Sequence, residues 1–306
     1  MQDIQKVAIL GAGAMGSYFA TRFFDTPGFS TVLIAEGPRL EKLRQDGLVV
    51  NGKPYHIPAI CPAEADSPAD LIIVALKHHH LQEAVAHLDL LVGDSTIFLS
   101  VMNGLESEEY IGAIYGMDKI LYAISLGIDA VRQGNRVTYA HPGTHYFGEA
   151  KNSPLTPKVQ RVQKAFDRAG ISYRTPEDMI RMLWWKFMIN VGVNQASAVM
   201  RAPYGVFQTH PDAQGLMEAL MQEVVTLAHA SQVNLTQQDV KDWYPVLNGL
   251  SPQGKTSMLQ DIEAKRKTEV DVFGGRVIEL GKALGIPTPV NQTVVQIIRI
   301  LEQNPA

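Results

Sequence analysis

The sequence predicts an α/β domain built on a mostly parallel sheet, followed by an all-helical domain. In the first half, short apolar, β-branched runs alternate with amphipathic stretches, which is the rhythm of repeated βαβ units. After Pro176 the strand signals largely vanish, and long helical patterns continue to the end of the chain. We therefore expect one domain over residues 1–175 and a helical domain over residues 176–306.

The strands of the first domain are predicted from runs that are apolar throughout, as in strands buried on both faces of a parallel sheet. These runs are Val7–Leu10, Thr31–Ala35, Leu71–Leu76 and Thr96–Ser100. The amphipathic stretches between them, which predict helices, are Met15–Phe24, Pro38–Gln45 and His79–Leu90. Later strands are predicted at Ile120–Asp129, Asn135–His141, Thr144–Phe147 and Ile171–Arg174, with a helix at Lys158–Ala169.

The helical domain is predicted to begin at Pro176, because proline is favoured in the first turn of a helix. Thr175 would then cap the helix N-terminus with its side chain. Helical patterns follow to Val199 and over Ala213–Ser231, Ser257–Leu284 and Asn291–Glu302.

Composition argues against several classes of protein. With 27 Lys and Arg against 31 Asp and Glu, the chain lacks the basic excess of nucleic-acid binders. No run approaches the roughly 18 apolar residues that a membrane-spanning helix needs. The single cysteine, Cys61, cannot form an internal disulfide, which suits a reducing cytoplasm. The consecutive histidines His78–His80 cannot all face one ion, so we expect a solvated helix start and no metal site.

A glycine-rich segment follows the first predicted strand and opens the first predicted helix, in the pattern G-x-G-x-x-G. Gly11 would permit the tight turn, and Gly13 would let a pyrophosphate approach the backbone. Gly16 would let the helix pack close to the sheet, and the free N–H groups of its N-terminus would bind the anion. The sequence thus predicts a Rossmann-type dinucleotide-binding domain, with the cofactor on Gly11, Ala12, Gly13, Ala14, Met15 and Gly16.

Three polar residues follow further predicted strands, at the end where open α/β sheets bind ligands. Glu36 stands where dinucleotide-binding domains contact the adenosine ribose. A carboxylate there can accept hydrogen bonds from the ribose hydroxyls and would repel a 2′-phosphate. Lys77 and Asn103 end two later strands. The alternatives are a solvated glutamate, a lysine that merely ends its strand, and a turn asparagine before Gly104.

In the helical domain, Lys186, Asn190 and Asn194 are four residues apart within an apolar segment. On an α-helix they form one polar stripe, and burying these groups is unfavourable unless they meet partners. The stripe therefore favours a ligand site over a lysine that snorkels to the surface. Asp261, Lys265 and Glu269 share this spacing, which is typical of an exposed charge ladder.

With these residues in place, the chain resembles the ketopantoate reductase family over essentially its whole length. The likeness rests on the Gly11–Gly16 loop, Leu76-Lys77, Asn103-Gly104, and Lys186 with Asn190 and Asn194. Its most specific part is the segment Ser257–Ile262 followed by Arg266–Asp271. For Glu269, the resemblance favours a role in the site over the charge ladder.

The resemblance implies reduction of ketopantoate to pantoate with NADPH, for pantothenate and coenzyme A synthesis. It makes Lys186 the general acid, and Asn190, Asn194 and Ser257 the substrate-binding residues. It assigns cofactor binding and ordering of the site to Lys77, Asn103 and Glu269, and places Ala130 where a strand passes the nicotinamide. The expected partner is a small-molecule 2-ketoacid, with a homodimer as one form of assembly.

Two departures from the family pattern leave alternatives open. Glu36 replaces a residue that is often basic, which leaves NADH beside NADPH. Tyr204 replaces an asparagine in a Pro-Asn-Gly turn, which leaves the exact substrate open. A related hydroxyacid or opine dehydrogenase and a non-catalytic nucleotide sensor remain as rival functions.

Overall fold

The computed structural model describes residues 3–303. The chain divides into two compact units, Met1–Ile180 and Arg181–Ala306. The first is an α/β unit and the second is helical. Within the described residues, no helix is long and apolar enough to cross a membrane.

The strands of the first unit are β1 (Lys6–Leu10), β2 (Ser30–Ile34), β3 (Leu48–Val50), β4 (Lys53–Tyr55), β5 (Ala59–Ile60), β6 (Leu71–Val74), β7 (Ile97–Ser100), β8 (Ile120–Ile128), β9 (Val131–Gln133), β10 (Arg136–Thr138), β11 (Pro142–Gly148) and β12 (Tyr173–Arg174). Its helices are α1 (Ala14–Phe24), α2 (Gly37–Asp46), α3 (Leu81–Val85), α4 (Ser107–Tyr115) and α5 (Pro157–Ala169).

The main sheet has the order β12-β11-β8-β7-β6-β1-β2-β5. From β7 to β5 every neighbouring pair is parallel, whereas β11 runs antiparallel to β8. Successive residues of β1 alternate between two apolar cores: Ile9 packs with Phe19 on one face, and Leu10 packs with Val85 on the other. Burial on both faces explains the continuous apolar runs and confirms the parallel α/β interpretation.

Two parts of the first unit differ from prediction. The stretch 79–90 forms an α-helix only over Leu81–Val85, with 3₁₀ turns before and after it. Its apolar residues after Val85 recur every third position, which fits the tighter turn. The stretch 135–141 is half of a β9–β10 hairpin, which joins β3 and β4 in a second sheet. Strands β3, β4 and β5 have only two or three residues each and no local sequence pattern, because their partners define them.

The second unit starts within α6 (Met179–Ile189) and continues with α7 (Gln195–Met200), α8 (Tyr204–Thr209), α9 (Pro211–Ala230), α10 (Gln237–Gly249), α11 (Ser257–Glu263), α12 (Arg276–Leu284) and α13 (Pro289–Gln303). Two segments are π-helical: a first π-turn at Asn190–Asn194 and a second π-turn at Asp271–Gly275. No strand occurs between residues 181 and 303.

The predicted helix start at Thr175 and Pro176 is wrong, since α6 begins at Met179. The backbone before it is held in a non-helical course by Asn152. The Asn152 side-chain amide donates to the Pro176 carbonyl at 2.7 Å, and its backbone N–H donates to the Glu177 carbonyl at 2.9 Å. These contacts between distant segments outweigh the local capping preference.

The predicted continuous helix over Ser257–Leu284 is also wrong. The helix α11 ends at Glu263, and Lys265 takes a left-handed conformation with φ 53°. Asp261 and Glu269 are buried while Lys265 is exposed, so the three do not form an exposed ladder. The charge-ladder interpretation therefore fails.

Candidate active site

The glycine loop joins β1 to α1 with little room inside it. Gly11 has φ 103°, and a Cβ on it would lie 2.6 Å from the Ala75 carbonyl oxygen. A Cβ on Gly16 would overlap the Gly11 carbonyl oxygen, so α1 packs directly on the loop. Gly13 differs, because the nearest atom to its Cβ position, the Ala75 oxygen, is 3.9 Å away. The open side of Gly13 at a helix N-terminus fits the close approach of a pyrophosphate.

Glu36 and Arg39 stand at the start of α2, beyond the end of β2. The Glu36 side chain is exposed and forms no cap hydrogen bond with the helix. The half-buried Arg39 donates from Nη2 to the carbonyl oxygen of Ala12 at 2.7 Å, which ties α2 to the glycine loop. This end of the site therefore carries an exposed carboxylate and, closer to the loop, a guanidinium.

Lys77 and Asn103 follow β6 and β7, which are adjacent parallel strands. The register pairs Leu10 with Val74 and Val74 with Ser100, so the glycine loop, Lys77 and Asn103 leave the same edge of the sheet. Lys77 and Asn103 are half-buried and interact with neighbouring residues. Ala130 lies between β8 and β9, half-buried against the apolar core. The first unit thus gathers the predicted cofactor residues that follow β1, β6 and β7.

Sequence reasoning missed a cavity directly beside these two turns. It is lined by His78, His79, Leu81, Gln82, Glu106 and Tyr110. The Nε2 atom of His78 lies 3.7 Å from Glu106 Oε2, across the gap between the turn after Lys77 and the turn after Asn103. The His78 side chain stays 36% exposed at the start of this turn, and it also faces a carboxylate, which the sequence analysis did not predict.

A buried carboxylate supporting the Asn103 turn was also missed. Glu108 is 2% exposed and accepts a hydrogen bond from Ser107 Oγ at 2.7 Å. The Ser107 and Ser100 hydroxyl oxygens are 2.7 Å apart, so the cluster joins the start of α4 to the end of β7. Burial raises the pKa of Glu108 to about 7. In the sequence it reads as an ordinary charged residue beside Glu109.

We expect Glu108→Gln to change the pH dependence of stability. The unfolded chain ionises Glu108 near its ordinary pKa of 4.5, while the folded protein keeps its proton to about 7. Stability of the wild type should therefore fall as pH rises through this window, by up to about 3 kcal/mol, relative to the glutamine variant. Urea unfolding from pH 4 to 8 measures the difference. The exposed neighbour provides the control, Glu109→Gln; a difference that is flat with pH would contradict the prediction.

In the second unit, Lys186, Asn190 and Asn194 lie on one continuous helical segment. Lys186 and Asn190 are half-buried, and Asn194 is 6% exposed. Asn194 Nδ2 donates to Asn190 Oδ1 at 3.1 Å, so the two amides share a face. Lys186 interacts with neighbouring residues. The three polar residues lie on one helical segment, as their spacing predicts. The last turn of this segment, Asn190–Asn194, is π-helical, whereas the prediction assumed an α-helix throughout.

The first π-turn has a packing cause. A Cβ on Gly192 would lie 2.5 Å from Met221 Cγ, so α9 presses against this turn. Gln195, fully buried after the turn, donates to the Val191 carbonyl at 2.8 Å and to Asn291 Oδ1 at 2.9 Å. Single π-turns inside helices occur frequently at functional sites, which agrees with the candidate role of Asn190 and Asn194.

Ser257 opens α11, next to the segment that carries the two asparagines. The buried Thr256 caps α11 by accepting from the Leu259 N–H at 3.1 Å, and its hydroxyl donates to Ser197 Oγ at 3.1 Å. Because Ser197 lies on α7, directly after Asn194, the exposed Ser257 is anchored beside that segment. The second unit thus brings Ser257 close to the predicted substrate residues.

Glu269 lies between α11 and the second π-turn. It is 8% exposed and interacts with neighbouring residues. Its neighbour Thr268 donates from its backbone N–H and its hydroxyl to Glu302 Oε1, at 2.7 and 2.6 Å. The loop that carries Glu269 is therefore fixed to α13.

Tyr204, the departure from the family pattern, packs on the loop before α11. Its backbone N–H donates to the Gly254 carbonyl at 2.9 Å, and a Cβ on Gly254 would lie 3.0 Å from the Tyr204 ring. Burial raises the pKa of its hydroxyl. Tyr204 therefore packs against the chain at Gly254, three residues before Ser257.

Individual relatives have low sequence identity but cover almost the whole chain. The 2-dehydropantoate 2-reductase of Archaeoglobus fulgidus is 25% identical over 300 residues, 98% of each chain. A D-mandelate dehydrogenase solved with NADH and anilino(oxo)acetate has a TM-score of 0.89 at 20% identity, covering 98% of this chain and 99% of that one. A ketopantoate reductase from Ralstonia eutropha has a TM-score of 0.84 at 24% identity, covering 98% and 99%.

Two family descriptions match in succession along the sequence. The one named "Ketopantoate reductase PanE/ApbA" matches residues 7–152, which include the glycine loop, Lys77 and Asn103. The one named "Ketopantoate reductase PanE/ApbA C terminal" matches residues 178–302, which include Lys186, Ser257 and Glu269. Together they span most of both units, and the chain therefore belongs to the ketopantoate reductase family.

Proposed function

We propose that this chain is a nicotinamide-dependent oxidoreductase that reduces 2-dehydropantoate (ketopantoate) to pantoate, in pantothenate synthesis. The observation that carries the proposal is the polar face of Lys186, Asn190 and Asn194 beside the anchored Ser257. In a member of this family, with an open glycine loop in its first unit, such a face suits a small polar ketoacid. A homodimer stays a prediction.

In this proposal the site residues divide into a cofactor-binding set and a substrate-binding set. The nucleotide, which supplies the hydride when bound, would be held by the glycine loop, Lys77, Asn103, Ala130 and Glu269. Asn190, Asn194 and Ser257 would hold the polar groups of the ketoacid. The Lys186 ammonium would stabilise negative charge that develops on the keto oxygen and would transfer its proton to that oxygen. Asn103 and Glu269 would assist by ordering the site.

The test is oxidation of NADPH and NADH by the pure protein, with ketopantoate compared with other 2-ketoacids. The proposal expects ketopantoate to have the highest kcat/KM. A second candidate, a dehydrogenase for a different 2-ketoacid, is favoured by Tyr204 beside the Ser257 loop. The panel of 2-ketoacids therefore includes phenylglyoxylate, and it is measured with both the wild type and the variant Tyr204→Asn. A wild type that prefers phenylglyoxylate would support the second candidate and overturn the first.

For the cofactor we propose NADPH, with NADH as the alternative that Glu36 favours. We expect Glu36→Arg to raise the ratio of kcat/KM for NADPH to kcat/KM for NADH by roughly tenfold or more. The substitution removes a negative charge near the 2′-phosphate and adds a positive one, which is worth about 1.4 kcal/mol. Glu41→Arg, which makes the same charge change at an exposed site on α2, is the matched control. An unchanged ratio would mean that Glu36 does not face the ribose.

A further inference from the structure

A buried glutamine closes the first π-turn. Gln195 is fully buried and follows Asn194 directly. Its backbone N–H donates to the Gly192 carbonyl, three residues back, whereas an α-helix would direct it to Val191, four residues back. The Val191 carbonyl accepts instead from the Gln195 side chain, with Nε2 at 2.8 Å. The side chain therefore supplies a hydrogen bond that the main chain of a regular helix would make.

The orientation of the Gln195 amide is fixed from the start of α13. Glu223, half-buried on α9, accepts from the N–H groups of Val290 and Asn291 at 2.8 and 3.0 Å. It also accepts from Asn291 Nδ2 at 2.7 Å, which leaves Asn291 Oδ1 to accept from Gln195 Nε2 at 2.9 Å. Because an ionised carboxylate only accepts, the Asn291 amide cannot be reversed. The chain of hydrogen bonds thus runs in one direction, from Gln195 through Asn291 to Glu223.

The other end of the same amide lies against the second π-turn. Gln195 Oε1 is buried and accepts no hydrogen bond from the described residues. A Cβ on Gly274 would overlap this oxygen and Val295 Cγ2, so the amide packs directly on that turn. The second π-turn follows Glu269, whose carbonyl accepts from the Phe273 N–H at 3.1 Å. Gln195 therefore contacts both π-turns.

A buried polar network of this kind is unfavourable unless its geometry is needed. An apolar residue in place of Gln195 would leave the Val191 carbonyl and Asn291 Oδ1 without this donor. A regular α-helix with an apolar side chain would avoid the network altogether. The network thus indicates that the π-turn itself matters, since it adds a residue to the turn and changes the direction of the side chains that follow.

We infer that Gln195 is a positioning residue for the ketoacid, which it affects through Asn190 and Asn194. It holds the first π-turn so that the two amides share a face, and it joins this turn to the second π-turn, after Glu269. Asn194 Nδ2 donates to Asn190 Oδ1, which leaves Asn190 Nδ2 and Asn194 Oδ1 for a ligand. The effect on the ketoacid rests on the proposed function.

The kinetic test is Gln195→Met, because methionine fills a similar volume but cannot donate a hydrogen bond. The KM for ketopantoate should rise by about tenfold or more, the scale of one lost hydrogen bond to the substrate. At saturating ketopantoate, kcat should stay within about threefold, because Lys186 precedes the first π-turn and remains in place. Gln222→Met, the same change at an exposed site on α9, is the matched control.

Hydrogen exchange followed by mass spectrometry tests the contacts without any substrate. In Gln195→Met, amide exchange should become about tenfold faster in peptides that cover both π-turns and stay unchanged in α10. Val240→Ala, a truncation in the core side of α10, controls for loss of stability. It should lower the thermal unfolding temperature without raising the KM for ketopantoate.

An unchanged KM in Gln195→Met, or an equal rise in Val240→Ala, would overturn the inference even if the wild type reduces ketopantoate. Faster exchange confined to the first π-turn would also overturn it, because the contact with Gly274 would then carry no coupling. If the wild type reduces no 2-ketoacid, the proposed function fails. Faster exchange at both π-turns would in that case still support Gln195 as the residue that holds them, and unchanged exchange would refute it.

Discussion

Lys186→Ala should lower kcat for ketoacid reduction by about 10²–10⁴ while nucleotide affinity stays nearly unchanged, as expected on loss of one positioned general acid. Lys186 belongs to the second unit, on the half-buried face shared with Asn190 and Asn194. The glycine loop, by contrast, belongs to the first unit. Steady-state kinetics with saturating nucleotide, together with nucleotide titration, separates the two effects.

Two further variants sharpen this test. Lys186→Arg keeps a positive charge, but its guanidinium cannot be deprotonated, so it should restore binding of the ketoacid without restoring kcat. Lys241→Ala removes an exposed lysine of α10 and should change neither. Near-normal turnover by Lys186→Ala would refute the assignment of the general acid.

Gly13→Ala should abolish tight nucleotide binding without destabilising the protein. Its φ of −79° is ordinary for alanine, and the added Cβ meets no protein atom closer than 3.9 Å. The methyl group would instead occupy the space that the pyrophosphate needs. We expect nucleotide affinity to fall roughly 100-fold or more, about 3 kcal/mol, from lost charge-assisted contacts with backbone N–H groups.

Gly16→Ala is the matched opposite case, three residues along the same helix. Its Cβ would overlap the Gly11 carbonyl oxygen, so α1 or the loop must move. We expect a loss of about 1–3 kcal/mol or more in the free energy of unfolding, as for other overpacked sites. Urea unfolding and nucleotide titration of both variants check the pair. Equal destabilisation by the two would show that the Gly13 side of the loop is not reserved for a ligand.

Local patterns in the sequence predicted the features that depend on near neighbours. The apolar runs of β1 and β6 identify buried parallel strands, because both faces of such strands meet other side chains. The glycine spacing identifies the loop, since the conformations it needs are set within six residues. The four-residue spacing of Asn190 and Asn194 correctly predicts a shared face, because one helical turn brings them together.

Other features were decided by contacts between residues far apart in the chain. Asn152 delays the start of α6, and the approach of Met221 to Gly192 accompanies the first π-turn. The residues next to Glu108 in the sequence suggest a surface position, but packing buries its side chain. The pairing of β10 with β3 joins Arg136 to Val49, which are 87 positions apart in the sequence. The sequence by itself thus determined the two kinds of unit and the motif residues, whose signals lie within one strand or helical turn. Only the tertiary structure decided which charges are buried and which distant side chains meet, because burial and proximity arise when separate elements pack together.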